Sequence, residues 1–393
     1  MTPNLTPDTS PPRHPRCDYR LPEILRRSRT RVTFGPGTIA TLGKLAKNEG
    51  ATNVLLVTDP GIRAAGHAER AAAALRDAQL PVTVFDGVEE NPTTEHVAAG
   101  IRVARRVEPD FLVGLGGGSA MDCAKGINFI LTNGGKMADY WGVNKATKPM
   151  LPMIAVPTTA GTGSEAQCFA LITDPVTRRK MACGDVKAQC RAAVLDPELT
   201  RTVPFAVAAA TGIDAIAHAV ETAATTKRNE DSLAFTREAW TRLDRALARV
   251  MQNRPDEQAR ADMTLGAHLA GAAIEHSMLG AAHACANPLT ARFKTLHGSA
   301  VGLMLPHVVR FNAADSKLGN PYTAICDDAE DLAQRIEWFL GVAGLPRQLR
   351  ECQVPVDALP DLAHEAANEW TAGFNPRPVG EPEFLTIYRA AYA

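Results

Sequence analysis

At 393 residues and a formal net charge of -1, the chain has the length of two ordinary domains. Its balance, 45% hydrophobic and 22% charged, is globular and excludes a bulk-basic partner of nucleic acid or of anionic membranes. No apolar run approaches the ~20 residues that a membrane span needs. The eight cysteines, at 17, 123, 168, 183, 190, 285, 326 and 352, form no C-x-x-C, so reduced thiols in a cytoplasmic protein are expected.

Residues 1–20 hold five prolines and little that could pack, and read as a disordered tail. Arg13, Arg16 and Arg20 raise the idea of a transit peptide, but the prolines, Asp8 and Asp18 oppose the amphipathic helix it needs. From about 30 to 200, short apolar runs alternate with helical patterns. Asn53–Asp59 predicts a buried strand, 62–79 an Ala-rich helix, Val82–Phe85 a strand and 94–107 a helix. Phe111–Leu115 is a third strand, leading through glycines into a helix that ends near 131, and Leu151–Val156 is a fourth. Phe169–Thr173 and Lys180–Cys183 pair as a hairpin around Pro175, and Ala192–Leu195 closes the series. Strands apolar on both faces that alternate with helices predict a parallel sheet covered on both sides. Beyond Pro204 strand signals fade, and 204–226, 231–252, 256–278, 329–343 and 359–370 carry helical periodicity. The expected organisation is an α/β domain at 21–203 and an all-helical domain at 204–393, with a site in the cleft between them.

Two loops carry the first chemical signal. Gly114-Leu115-Gly116-Gly117-Gly118-Ser119 joins a strand to a helix, where bare backbone N–H groups and the helix N-terminus favour a phosphate. Alone, such a loop is also what a tight turn looks like. It is not the standard dinucleotide fingerprint, whose acid follows the glycines. Here the acid is Asp59, ahead of them, where a carboxylate could hold ribose hydroxyls and repel a 2′-phosphate, or simply open the turn before Pro60-Gly61. The second loop, Pro157-Thr158-Thr159-Ala160-Gly161-Thr162-Gly163-Ser164-Glu165, offers hydroxyls that suit a pyrophosphate or a helix cap.

The second signal is a metal-ligand set. Asp214 and His218 lie four apart on an apolar helix, hence on one face, where they need each other or a cation. His283 and His297 follow in separate segments. One carboxylate and three imidazoles suit Fe(II) or Zn(II) with a position open for substrate oxygen. His268 and His307 read as packing residues, and His67, His96 and His364 lie in polar or helix-surface contexts.

Taken together, Gly116–Lys125, Pro157–Glu165, Gly212–His218, His283, Leu296-His297-Gly298, Leu305-Pro306-His307 and Asn375-Pro376-Arg377-Pro378 resemble the iron-containing alcohol dehydrogenase family, in order, from about residue 30 to the end. The resemblance implies a dehydroquinate synthase-like fold: an N-terminal α/β dinucleotide-binding domain and an all-helical C-terminal metal-binding domain. It implies metal ligation by Asp214, His218, His283 and His297. It implies NAD binding at Asp59, Asn91, Gly117, Gly118, Ser119, Asp122, Thr158, Thr159, Thr162 and Lys180. Many members carry a histidine four residues after the third ligand, thought to help proton transfer; Asn287 stands there, and His276 offers a substitute of the right chemistry, with structural packing its favoured role.

The activity implied is hydride transfer between nicotinamide and a small alcohol or aldehyde whose oxygen the metal polarises. A hydroxyacid–oxoacid transhydrogenase with retained cofactor is the alternative, separable by release of free NADH. A dehydroquinate synthase-like lyase would need a basic pocket for substrate phosphate. Ile274, Met278 and Trp141 are expected in the apolar wall. Neither nucleic acid nor membrane is expected as a partner, and a homodimer or larger homo-oligomer is.

Overall fold

The computed structural model describes residues 17–177, 179–252 and 256–392. Its nine strands are β1 (Arg31–Phe34), β2 (Val54–Val57), β3 (Val82–Phe85), β4 (Phe111–Gly116), β5 (Gly142–Val143), β6 (Met153–Pro157), β7 (Phe169–Thr173), β8 (Lys180–Gly184) and β9 (Ala192–Leu195). Helices α1 (Leu42–Asn48), α2 (Pro60–Ala64), α3 (His67–Asp77), α4 (Thr94–Val107) and α5 (Gly118–Asn133) alternate with them. The C-terminal half is helical: α6 (Phe205–Ala224), α7 (Glu230–Met251), α8 (Glu257–His276), α9 (Ala281–Phe293), α10 (His297–Ala313), α11 (Ala329–Ala343), α12 (Leu359–Ala367) and α13 (Glu381–Tyr392).

Six strands form one parallel sheet in the order β1-β9-β6-β4-β2-β3. Strands β2, β4, β6 and β9 are buried along their whole length, as their unbroken apolar runs require. Alternate residues feed opposite faces. Leu55, Val57, Leu112, Met153 and Ala155 join the core under α4 and α5, while Val54, Leu56, Phe111, Val113, Ile154 and Val156 join that of α1 and α3. A small second sheet, β5-β8-β7, contains the expected hairpin, with Phe169 opposite Gly184 and Thr173 opposite Lys180. The helical part has its own core around α6, α7, α8 and α10.

Three expectations need correction. The helix expected over 62–79 is two, broken at Gly66, which takes a φ of 82°. The sequence predicts no element at β1, α1, β5, α9, α10 or α13; β1 has only four residues and β5 two, and α9 and α10 carry Pro288 and Pro306 within them, which interrupt the helical signal. Residues 1–16 of the expected tail lie outside the described residues, but its last part is docked. The Asp18 N–H donates to Gln258 on α8 at 2.7 Å, and the Tyr19 ring meets Phe34 edge-on at 5.8 Å. Among the described residues, no helix is long and apolar enough to cross a membrane.

Candidate active site

The parallel order puts the C-terminal ends of β2, β4 and β6 side by side, the edge where such sheets take ligands. Asp59 follows β2, the glycines follow β4, and Thr158-Thr159 follow β6. They line one wall of a cleft of ≈ 710 Å³ whose other wall is helical. Asp59, Asn91, Gly117, Gly118, Ser119, Asp122, Thr158, Thr159, Thr162 and Lys180 all border it, as do Asp214, His218, His283 and His297.

On the sheet side, local geometry keeps groups open toward the cleft. Asp59 caps α2 with Oδ1, accepting the Ile62 N–H at 2.9 Å. Gly116, at a φ of 145°, leaves room beside it: an added Cβ would stand 3.1 Å from Asp59 Oδ2 and 2.8 Å from Ala120 Cβ. Helix α5 begins without a side-chain cap, so its first N–H groups have no hydroxyl or carboxylate on them. The Asn91 N–H donates to Ser119 Oγ at 3.3 Å, with Asn91 in the left-handed region at a φ of 53°. The hydroxyls of Thr158 and Thr159 are buried without a hydrogen-bond partner among the described residues. Asp122 differs from the rest. Its carboxylate accepts the Ser164 hydroxyl at 2.6 Å and the Leu171 N–H at 3.3 Å, so it braces the second loop from behind. Lys125, fully buried, completes that brace by donating to Ser164 O at 2.7 Å and Phe169 O at 2.9 Å. Lys180 is half-buried, and burial pulls its ammonium below the ordinary lysine range against the opposing pull of Asp122 and Asp214. It is the only lysine or arginine bordering the cleft among the described residues, a thin supply of charge for a phosphorylated substrate.

On the helical side, α6 presents Asp214 and His218 one turn apart, α9 brings His283 and the start of α10 brings His297. Nε2 of His218 and Nε2 of His283 each lie 3.4 Å from Asp214 Oδ1. The rings of His218 and His283 stack at 5.0 Å, and His283 and His297 sit 5.5 Å apart. Asp214, His283 and His297 each offer a ligand atom within 4.8 Å of the others. Asp214 Oδ1 and His283 Nε2 are buried with no hydrogen-bond partner among the described residues. Such orphaned groups are costly unless a further species takes them up, and a divalent cation fits that donor set. Burial would raise Asp214, but the three imidazoles hold its carboxyl well below the usual range. Burial pushes His297 down to about 3 and lowers His218, leaving both neutral, whereas against burial Glu221 and Asp214 raise His283 to about 9, so a metal at its Nε2 must displace a proton.

Glu221 escaped the sequence reading. It lies seven residues after Asp214, on the same face of α6, and its Oε2 accepts from His283 Nδ1 while Oε1 accepts the Ala282 N–H at 2.7 Å. The signal was there in the spacing: a third ionisable group on an otherwise apolar stripe.

The structure does not bring every expected residue to the cleft. His276 ends α8 with its ring on Phe235 at 5.3 Å, and is absent from the cleft walls. Ile274 borders the cleft, whereas Met278 and Trp141 do not; Leu279 and Phe169 take their place. Trp141 is on the surface, with the Arg179 guanidinium 4.6 Å over its ring. Asn287 donates its amide to Glu369 Oε2 at 2.8 Å, and burial raises the carboxyl of Glu369. His67 is buried rather than on a polar surface, meeting Thr202 Oγ1 at 2.8 Å. His268 is a packing residue, fully buried at 3.3 Å from Glu165.

A parallel sheet with a glycine loop at its C-terminal edge, facing a carboxylate–imidazole cluster on helices, suits an enzyme that takes a metal and a dinucleotide. Family comparison narrows this. Residues 29–197 match the model described as iron-containing alcohol dehydrogenase, and 208–392 match the C-terminal model of the Fe-containing alcohol dehydrogenase family. Alcohol dehydrogenase 4 of Schizosaccharomyces pombe is 40% identical over 365 residues, covering 91% of this chain and 86% of that one. The crystal structure of a 1,3-propanediol oxidoreductase superposes with a TM-score of 0.87 at 33% identity, covering 96% of this chain and 100% of the other. A sulfoacetaldehyde reductase from Bifidobacterium kashiwanohense, solved in complex with NAD+, superposes at 0.84 with 27% identity, covering 96% and 99%. The chain belongs to the iron-containing alcohol dehydrogenase family and is an oxidoreductase.

Proposed function

We propose that the cleft is the active site of an NAD-dependent alcohol dehydrogenase and aldehyde reductase that holds Fe(II) on Asp214, His218, His283 and His297. One observation carries this reading: unpartnered buried ligand atoms and unpartnered loop hydroxyls face the same cleft from opposite walls. When bound, the metal supplies Lewis acidity to the substrate oxygen and the nicotinamide supplies or takes the hydride. The chain's own share is position and exclusion of water. Thr158, Thr159, Thr162, Ser119 and the α5 N-terminus suit the diphosphate and riboses, and Lys180 suits a ribose or phosphate oxygen. Phe169, Leu171, Ile274 and Leu279 offer an apolar wall for a short alcohol or aldehyde. Purified apo-protein reloaded separately with Fe(II) and Zn(II), then assayed with NADH against short aldehydes and 3-hydroxypropanal, tests the reading. Reduction that is fastest with iron is expected, and equal turnover without any metal would refute it.

The Asp59 carboxylate at the β2 edge opposes a 2′-phosphate, so NAD is preferred over NADP. Asp59→Gly should narrow or reverse that preference, read as the ratio of kcat/KM for the two cofactors. Glycine still serves as an N-cap, so stability should change by only a few tenths of a kcal/mol. Native efficiency higher with NADP would contradict the assignment.

The proton needs a titratable group, and an amide at 287 is not one. His276 faces Phe235, so His276→Ala should leave the pH–rate profile as it is. The carboxyl against Asn287 is Glu369, protonated to higher pH than an ordinary glutamate. Glu369 and Asn287 are, like His276, absent from the cleft walls, so Glu369→Gln should also leave the profile as it is. A profile altered by either substitution would put that side chain on the proton route.

A further inference from the structure

Glu221 is a buried carboxylate, 5% exposed, that neither the cofactor nor the substrate reaches in the proposed function. Its two oxygens are both spent on the first turn of α9. Oε2 accepts from Nδ1 of His283 and Oε1 accepts the Ala282 N–H at 2.7 Å. A third acceptor finishes the same turn: Asn375 Oδ1 lies 3.4 Å from the Ala281 N–H. Asn375 is itself locked, donating to Asn312 Oδ1 and to Arg377 O at 2.7 Å each, while Asn312 donates to Tyr322 Oη at 2.9 Å. Helix α9 has no capping side chain of its own at Gly280. An added Cβ at Gly280 would stand 3.2 Å from both Glu221 Oε1 and Asn375 Oδ1, so the two acceptors converge on that glycine. This accounts for the Asn375-Pro376-Arg377-Pro378 segment, which lies far from the ligands in sequence.

We propose that Glu221 is the positioning residue of the metal site: it holds the proton of His283 on Nδ1, so that the Nε2 lone pair faces the cation beside Asp214, and with Asn375 it fixes the helix end that carries that ring. The proposal rests on the metal assignment made for the cleft. The physical argument is tautomeric. A neutral imidazole has one N–H and one lone pair, and whichever nitrogen donates leaves the other to bind metal. A carboxylate at Nδ1 can only accept while ionised, so it selects the ligating tautomer and makes Nε2 a stronger donor. Among the described residues, no other group is hydrogen-bonded to Nδ1.

Glu221→Gln is close to isosteric and discriminates between positioning and packing. Its amide oxygen can still take the Ala282 N–H. The amide NH2 then faces His283 Nδ1, which must accept, and the imidazole proton moves to Nε2, where it blocks ligation. The Fe(II) dissociation constant, measured by chelator competition on the full chain, should rise about 10–100-fold, the usual cost of losing such an outer partner. Activity should fall with metal occupancy and return at saturating Fe(II). An unchanged dissociation constant, with only the melting temperature lowered, overturns the proposal and leaves Glu221 as packing. His283→Ala is measured in parallel: if it binds Fe(II) as wild type does, the metal assignment itself falls, whereas loss there with no change in Glu221→Gln sinks the positioning role alone. Should the glutamine variant fail to fold, the wild type decides. In the Zn(II)-loaded protein with 15N-labelled histidine, His283 should show a protonated Nδ1 and an unprotonated Nε2, and the opposite tautomer overturns the proposal.

Discussion

Replacing His283 with alanine should abolish turnover and empty the metal site. Lewis-acid polarisation supplies several kcal/mol to the transition state; about 4 kcal/mol corresponds to a loss of about 10³-fold in kcat/KM. The same substitution strands Glu221, whose Oε2 faces only that ring. Breaking a buried pair from one side costs about 3–5 kcal/mol, so this variant should also melt well below the wild type when both are metal-free. His297→Ala provides the contrast. His297 is only half-buried, and its Nδ1 has no hydrogen-bond partner, so no carboxylate is abandoned with it. It should lose metal and activity to a similar degree while the metal-free melting temperature hardly moves. Full metal content, by elemental analysis, and normal turnover in both variants would remove the assignment.

The second large effect is steric. Gly298 follows His297 at the point where α10 crosses α6, and a Cβ there would stand 1.9 Å from Ala210 O and 3.1 Å from Asp214 Cβ. The first contact is with backbone, which cannot rotate away. One turn on, a Cβ at Gly302 would meet Ile213 Cγ2 at 2.2 Å, so the two helices touch along a glycine seam. Gly298→Ala must therefore separate α10 from α6, at the cost of about 1–3 kcal/mol or more that overpacking carries. Because Asp214 is on α6 and His297 begins α10, the same displacement pulls two ligands apart. Both the melting temperature and iron content should fall, with activity tracking iron. Gly373, where an added Cβ meets nothing within 4 Å, is the control, and Gly373→Ala should change neither. Wild-type iron and stability in Gly298→Ala would show that the seam is looser than its geometry.

The site was legible where chemistry and local period coincide. Asp214 and His218, four apart on an apolar helix, could be paired without coordinates because helix geometry alone stacks them. The glycine and threonine loops announced themselves as polar breaks directly after wholly apolar strands. Asn287 was recognisable as an amide where a titratable group was expected, though not its bond to Glu369, 82 residues away. His276 has the chemistry of a relay and lies seven residues before His283, but packing is its favoured reading. Ser277 ends α8 with a backbone turn, and the ring stays on Phe235 at the helical core.

The sequence by itself thus determined the layer architecture, the family, the residue types able to hold a metal and the loops able to hold phosphates. These depend on periodicities and short spacings that are local properties of the chain. Only the tertiary structure decided which of those residues face the cleft, that Glu221 and not solvent stands behind His283, and that Asn375 braces the same helix. Those contacts span 62 and 94 residues. They depend on where α6, α9 and the segment after α12 cross, and close packing of whole helices sets such crossings, with no short motif to record them.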